Sequence, residues 1–142
     1  MLKIRLALSL SSLMLLHTIT YAQAKLNVLS DTLRWKAESY KDVVTDTTAG
    51  NTSEFVTYGS SKIIWTQTGA EQPTVFEFNV LSAEDHWETG GYFVLNTIRK
   101  TINQTFKFER IGATTRVTLT YSTHEGPRTL IFSIDEISPI TN

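Results

Sequence analysis

The sequence predicts an all-β protein, an antiparallel up-and-down meander of about eight short strands that forms a small barrel. From residue 25 onward the chain is rich in Thr, Val, Ile, Phe and Tyr, which suit a pleated, half-buried surface. Apolar and polar residues alternate with a period of two, and turn residues separate the alternating segments at intervals of roughly 8–12 residues. A two-sheet β-sandwich has the same alternation and is the alternative architecture.

The first strand is predicted around Trp35, because Leu33, Trp35 and Ala37 alternate with charged residues. In the third strand Ile63, Ile64 and Trp65 run together, which predicts that both faces of that strand are covered. The short, hairpin-like connections favour a meander over a sandwich. In chain order the eight predicted strands lie at about 33–38, 54–58, 62–67, 76–80, 92–97, 106–109, 116–122 and 130–134.

Turn-forming residues separate these strands. A longer exposed loop is predicted over 45–52, where Ala49-Gly50-Asn51 interrupts the alternation. Two fragments of about one turn each, 26–31 and 82–87, are the only helical segments predicted. The predicted turns lie at 59–61, 68–73, 90–91, 111–114 and 124–127.

Residues 1–24 have the features of a secretory signal peptide. Lys3 and Arg5 form a positive start, an apolar run follows over 6–16, and Ala22-Gln23-Ala24 offers a small-x-small cleavage site. We therefore expect an exported protein, secreted or periplasmic, whose mature chain is a single β-barrel domain over 25–142.

Charge and composition exclude several classes of function. The formal net charge is −1, so we expect no basic surface that attracts nucleic acid. The chain has no cysteine, which rules out disulfides, cysteine metal sites and a cysteine nucleophile. Charged residues such as Arg34, Lys36 and Glu77 are predicted on the outer face, where lipid would oppose them, so an integral membrane protein is not expected. No metal-ligand spacing and no cofactor motif is present, so we expect neither a metal nor a cofactor.

Four short segments stand out in order along the chain. They are Leu33-Arg34-Trp35, Phe76-Glu77-Phe78, Phe106-Lys107-Phe108-Glu109 and Leu130-Ile131-Phe132-Ser133-Ile134. Following a signal peptide in this order, they resemble the small lipocalin-like (calycin-like) domains of secreted bacterial proteins, over roughly 31–137. The resemblance implies a barrel that holds a small apolar ligand and performs no catalysis.

The densest group of chemically functional residue types is Glu84-Asp85-His86-Trp87-Glu88. A histidine flanked by carboxylates suits acid–base chemistry or a divalent ion, so a hydrolase or metal enzyme using His86 is one hypothesis. The interpretation we favour is a solvated loop with Trp87 packed against the end of the barrel. Glu77 and Glu109 are a further pair of carboxylates, but their alternation with phenylalanines predicts that both point outward.

Aromatic residues in the predicted strands indicate an apolar interior site. Ala37 is the one small residue among the clear inward positions, so we expect space for a ligand beside it, with tyrosine hydroxyls to orient that ligand. The predicted ligand-binding residues are Trp35, Ala37, Tyr58, Trp65, Phe78, Phe108 and Tyr121. On this hypothesis the chain is a non-enzymatic binding protein for a small apolar molecule. The alternative is a structural, interaction or inhibitor module with a solid core and a protein partner.

Overall fold

The protein's structure, a computed structural model, describes residues 25–69 and 71–141. The predicted signal peptide and its cleavage site lie outside the described residues. Within these ranges no helix combines the length and the apolar character that crossing a membrane requires. The elements are β1 (Thr32–Ala37), β2 (Tyr40–Asp42), β3 (Thr47–Ala49), β4 (Thr52–Tyr58), β5 (Lys62–Thr68), β6 (Thr74–His86), α1 (Trp87–Gly90), β7 (Tyr92–Arg99), β8 (Ile102–Ile111), β9 (Thr114–Thr123), β10 (Gly126–Ile134) and β11 (Glu136–Pro139).

The strands form one antiparallel sheet that returns on itself. Its order is β11-β1-β4-β5-β6-β7-β8-β9-β10-β2-β3. The pair β11-β1 lies at one end of this order and the pair β10-β2 lies near the other, although β1 is followed in the chain by β2 and β10 by β11. Leu33 pairs with Pro139, and Tyr40 pairs with Phe132. From the first pair to the second, the chain advances seven residues in one strand and goes back seven residues in the other. The two ladders therefore share one register, in which β2 continues β1 and β11 continues β10. The first and last strands pair on both sides of a bend, and the sheet curls into a barrel.

A β-bulge lies where β1 passes into β2. Ala37 pairs with Ser53, and Tyr40 pairs with Ala49. Between these two pairs β1–β2 spans three residues and β3–β4 spans four, so the extra residue of the bulge lies in β3–β4. Taking β1–β2, β3–β4 and β10–β11 as single bent strands reduces the eleven strands to eight. The predicted meander of about eight antiparallel strands is confirmed, and its closed order favours the barrel over the sandwich.

Alternate residues of the long strands point into the barrel, as a period of two requires. Rings from strands that are far apart in the sheet meet inside it. The ring centroid of Trp35 in β1 lies 4.8 Å from that of Phe108 in β8. Phe93 in β7 stacks on Phe108 with the two centroids 4.5 Å apart. Burial of these large apolar side chains is the main driving force for this fold.

The barrel has two unlike ends. At one, which we call the Trp87 end, lie α1, the turn after β4, the turn after β8 and residues 25–31. Val28 of this N-terminal segment is 1% exposed and belongs to the core, so the segment covers the Trp87 end. The opposite end, which we call the Asp42 end, carries the connections after β2, β5, β7 and β9.

Three local predictions differ from the structure. The loop predicted over 45–52 contains β3, because pairing with β2 extends the first hairpin past the bulge. The fragment 82–87 continues β6 as far as His86, since pairing with β7 overrides local helical tendency, and only Trp87–Gly90 is helical. The fragment 26–31 is a turn, in which the N–H groups of Ser30 and Asp31 donate to Asn27 O.

Gly59 joins the N-terminal segment to the turn between β4 and β5. Its φ is +56°, in the left-handed region, and its N–H donates to Asp31 O at 3.2 Å. A Cβ added at Gly59 would lie 2.6 Å from the backbone oxygen of Leu29.

We expect Gly59→Ala to lower the free energy of unfolding by about 1–3 kcal/mol, because it adds backbone strain and a steric clash. Urea denaturation measures this. Gly50→Ala is the matched control, since no heavy atom lies within 4 Å of a Cβ added there, and its effect should stay within about 0.5 kcal/mol. Equal losses in the two variants would contradict the role assigned to Gly59.

An ion pair between Asp42 and Arg128 links β2 to β10 at the Asp42 end. Asp42 Oδ2 accepts a hydrogen bond from Arg128 Nη2, and Oδ1 accepts from the backbone N–H groups of Val44 and Thr45 at 3.0 and 3.3 Å. The bond from Arg128 is the largest of the causes that hold the pKa of the Asp42 carboxyl below its ordinary value. The pair therefore stabilises the fold above that ordinary value, and its contribution is lost as the pH falls through the lowered pKa.

We expect Asp42→Asn to lower Tm at neutral pH, and the difference from the parent to shrink as the pH falls below about 4. Thermal unfolding followed by circular dichroism between about pH 7 and pH 3 measures this. Glu71→Gln, at an exposed carboxylate that pairs with no cation in the described ranges, should follow the parent at every pH. A Tm difference that does not change with pH would show that the carboxylate charge is irrelevant.

Candidate functional site

The structure divides the seven predicted ligand-binding residues into three groups. Tyr58 lies on the outer face, 37% exposed, with the Lys62 ammonium 4.8 Å from its ring centroid. Tyr121 is half-buried and packs against the core. The other five are at most 7% exposed and lie inside the barrel: Trp35, Ala37, Trp65, Phe78 and Phe108.

Two hydroxyl groups inside the barrel bind the indoles of the interior. Trp35 Nε1 donates to Thr57 Oγ1, and Trp65 Nε1 donates to Ser53 Oγ, both at 3.1 Å. Thr57 faces inward, where its hydroxyl accepts from Trp35. Tyr58 is the next residue of the strand and therefore faces outward.

Ring contacts extend through the rest of the interior. The ring centroids of Phe55 and Phe132 lie 4.8 Å apart, and those of Phe78 and Phe106 lie 4.9 Å apart. Ala37 is completely buried beneath this packing. None of the three cavities described below is lined by any of the seven predicted residues.

The His86 group stands at the exposed end of β6. His86 Nε2 lies 3.9 Å from Glu84 Oε2, and the His86 ring lies 4.9 Å from the Tyr92 ring. Asp85 Oδ1 accepts a hydrogen bond from the backbone N–H of Trp87 at 3.0 Å, so this carboxylate fixes the start of α1. No group of three or more His, Cys, Asp or Glu side chains in the described part of the chain is placed to hold a metal ion. Trp87 packs against the barrel end, as predicted, and is 4% exposed, but Glu84, Asp85 and His86 lie in β6 and not in the predicted loop, because they pair with β7.

Glu77 and Glu109 point outward, as their alternation predicts. Glu77 Oε1 lies 4.0 Å from Lys62 Nζ. Glu109 lies between Lys107 Nζ at 3.0 Å and Arg116 Nε at 2.6 Å. Partial burial raises the pKa of Glu109, but the hydrogen bonds from the two cations outweigh burial and hold that pKa below its ordinary value. Glu109 is therefore an ionised member of a surface network.

A cavity of about 530 Å³ lies at the Trp87 end. The pairing between β10 and β9 ends at Ile134 and Thr115, but the chain continues through β11 to Pro139. The cavity opens between β11 and the start of β9, where the two are no longer paired. A second cavity of about 380 Å³ has residues 25, 26, 87 and 88 in common with it. The larger cavity is lined by Lys25, Leu26, Trp87, Glu88, Arg110, Thr115, Ile137 and Pro139.

Arg110 and Trp87 are held together at this cavity. The guanidinium carbon of Arg110 lies 4.4 Å from the Trp87 ring centroid, and Arg110 Nη2 donates to Trp87 O at 2.5 Å. The same indole meets the rings of Trp35 and Phe93 edge-on, at 5.9 and 5.7 Å between centroids. Trp87 therefore connects the aromatic interior to the wall of the cavity.

A wider depression of about 1000 Å³ lies along Glu71–Val75. All five lining residues are consecutive and exposed, and they form the connection into β6 and the first two residues of that strand. Side chains from distant elements do not converge there, whereas the N-terminal segment, α1, β8, β9 and β11 all contribute to the cavity at the Trp87 end.

Sequence reasoning singled out Trp87 and Glu88 but missed the other residues of the cavity. Lys25, Arg110 and Thr115 stand in no motif, and each has the local appearance of an ordinary surface residue. Closure of the barrel brings them together, and no local pattern reports that closure.

We expect Ala37→Leu to lower the free energy of unfolding by about 1–3 kcal/mol, because three added carbons must enter a packed interior. Ala49→Leu, at a half-buried position of β3, is the control and should cost less. Urea denaturation compares the two variants. Unchanged stability in Ala37→Leu would mean that the interior contains unused space beside Ala37, as the sequence analysis expected.

Comparisons with known proteins assign no family to this chain. No protein-family model, no curated protein and no solved structure matches it.

Proposed function

We propose that this protein is an exported, non-enzymatic binding protein that holds a small molecule in the cavity at the Trp87 end of its barrel. The observation that carries the proposal is the cavity itself. Its volume of about 530 Å³ is within the range of small-molecule sites, and its lining combines apolar side chains with a few charged ones.

The interior argues for this location over the one expected from the sequence. Trp35, Trp65 and Phe108 are in ring contact with their neighbours, and the interior hydroxyls already bind the indoles. A ligand in the interior would have to displace side chains that stabilise the fold. The up-and-down barrel is compatible with the lipocalin-like resemblance, so we propose a lipocalin-like domain with its binding site moved to one end.

A solid-core interaction module is the second candidate. It is supported by the same packed interior and by exposed apolar side chains in the turn after β2. Val43 and Val44 in that turn are 46% and 61% exposed. Such side chains suit contact with a protein partner at the Asp42 end.

A hydrolase or metal enzyme using His86 has less support. The imidazole lies on the exposed outer face, and its nearest carboxylate, on Glu84, is 3.9 Å away. Catalytic histidines gain their function from close hydrogen bonds and exclusion of water. The His86 side chain is 46% exposed, and no residue of 25–69 or 71–141 forms a hydrogen bond with its imidazole.

The binding proposal is tested by filling the cavity. Thr115 is half-buried and lines it, so we expect Thr115→Phe to weaken binding of the uncharged fluorescent probe phenylnaphthylamine by about tenfold or more, since the larger ring occupies the ligand's space. Probe fluorescence in a titration gives the Kd. Thr118→Phe, on the outer face of the same strand, is the control and should bind the probe like the parent.

Thermal unfolding checks that both variants keep the parent's fold. Equal probe binding by the parent and both variants would place the site elsewhere. If the folded parent binds no probe, the interaction module becomes the better hypothesis.

A further inference from the structure

The cavity at the Trp87 end is rich in hydrogen-bond donors. Lys25 contributes an ammonium group, Trp87 an indole N–H, and Arg110 a guanidinium group. Glu88 is the one carboxylate among the lining residues of the 530 Å³ cavity. A molecule bound here would therefore meet two cations and one anion, and it would need acceptors more than donors.

Trp87 differs from the other two tryptophans in its hydrogen bonding. Trp35 and Trp65 donate to Thr57 and Ser53, whereas the Trp87 indole N–H donates to no described residue. Arg128 Nε is the only side-chain nitrogen or oxygen in the described ranges that is both sealed from solvent and unpartnered. The Trp87 indole N–H therefore has no acceptor among residues 25–69 and 71–141, and the residue as a whole is 4% exposed.

Arg110 is fixed in place with donors to spare. Its Nη2 donates to Trp87 O and its guanidinium lies over the Trp87 ring, which orients the planar group. Neither Arg110 nor Lys25 forms an ion pair with a carboxylate of residues 25–69 or 71–141. An arginine oriented in this way binds a carboxylate or sulfonate with little further loss of side-chain entropy.

The remaining lining is apolar. Leu26, Ile137 and Pro139 come from the N-terminal segment and from β11, on the walls beside Trp87. These side chains offer no polar group to a ligand, so they suit its hydrocarbon part.

We propose that the cavity binds a small organic anion with an apolar body. The anionic group accepts hydrogen bonds from Arg110 and Trp87, with the Lys25 ammonium nearby, and the hydrocarbon part packs on Leu26 and Ile137. This inference rests on the proposed function and specifies its class of ligand.

Two dyes with the same ring system test the proposal. Anilinonaphthalene sulfonate carries a sulfonate, and phenylnaphthylamine lacks it, so the ratio of their Kd values reports on the anion alone. We expect Arg110→Gln to weaken binding of the sulfonate dye by about tenfold or more, the loss expected for a hydrogen bond to a charged group. The uncharged dye should lose clearly less affinity than the sulfonate dye, because Leu26, Ile137 and Pro139 are unchanged and only the sulfonate needs the guanidinium charge.

Arg99→Gln is the matched control. Arg99 also lies over an aromatic ring, that of Phe76 at 5.0 Å, but at the Asp42 end of the barrel. It should leave the Kd of both dyes unchanged. Arg110→Lys should recover part of the sulfonate preference, because it restores the charge without the planar group. In a ¹H–¹⁵N spectrum, the Trp87 indole signal should shift more with the sulfonate dye than with the uncharged one.

The outcomes separate the ligand class from the site. If both dyes bind the parent equally and Arg110→Gln affects neither, the anion proposal is wrong while the binding proposal stands. If neither dye binds the folded parent, both proposals fail. If Arg110→Gln weakens both dyes to the same extent, Arg110 only shapes the cavity, and the anion proposal is again overturned.

Discussion

Trp35 packs against Phe93 and Phe108, which come from strands on the far side of the barrel. The curl of the sheet brings these opposite walls into ring contact, and pairing between the first and last strands holds the curl closed around the rings. That pairing is interrupted where both strands bend. Asp135 spans the interruption, since its N–H donates to Lys36 O at 2.8 Å and its Oδ2 accepts from the Glu38 N–H at 3.0 Å.

Filling the interior with indoles creates a need for buried hydrogen-bond acceptors. Thr57 and Ser53, both on β4 and both completely buried, supply these acceptors with their hydroxyl oxygens. The two hydroxyls are small, so they satisfy Trp35 and Trp65 without opening space between the rings. A barrel of eight strands has an interior just wide enough for side chains, and here aromatic groups occupy it. The room left for another molecule is therefore at an end.

Much of the fold could be predicted from the sequence, because alternation with a period of two is a local property. Leu33, Trp35 and Ala37 face inward as predicted, and so do Phe106 and Phe108. Tyr58 could not be placed in this way. Its strand offers Phe55 and Thr57 on one face and Val56 and Tyr58 on the other, and hydrophobicity alone does not choose between them. Contacts with other strands fix the choice: Phe55 packs on Phe106 and Phe132, and Thr57 accepts a hydrogen bond from Trp35.

The candidate site was less predictable, because its walls come from distant parts of the chain that meet at the Trp87 end. The N-terminal segment supplies Leu26 to the cavity and Val28 to the core, only two residues apart. The contact of this segment with Gly59 therefore has two effects: it holds Leu26 in the wall of the cavity, and it keeps Val28 over the end of the barrel. A ligand that contacts Leu26 binds the docked segment and not the released one, so its binding free energy adds to the stability of this end. On the proposed function, local stability and ligand affinity would be coupled at this end, and the edge-on contact between Trp87 and Trp35 would extend that coupling to the core.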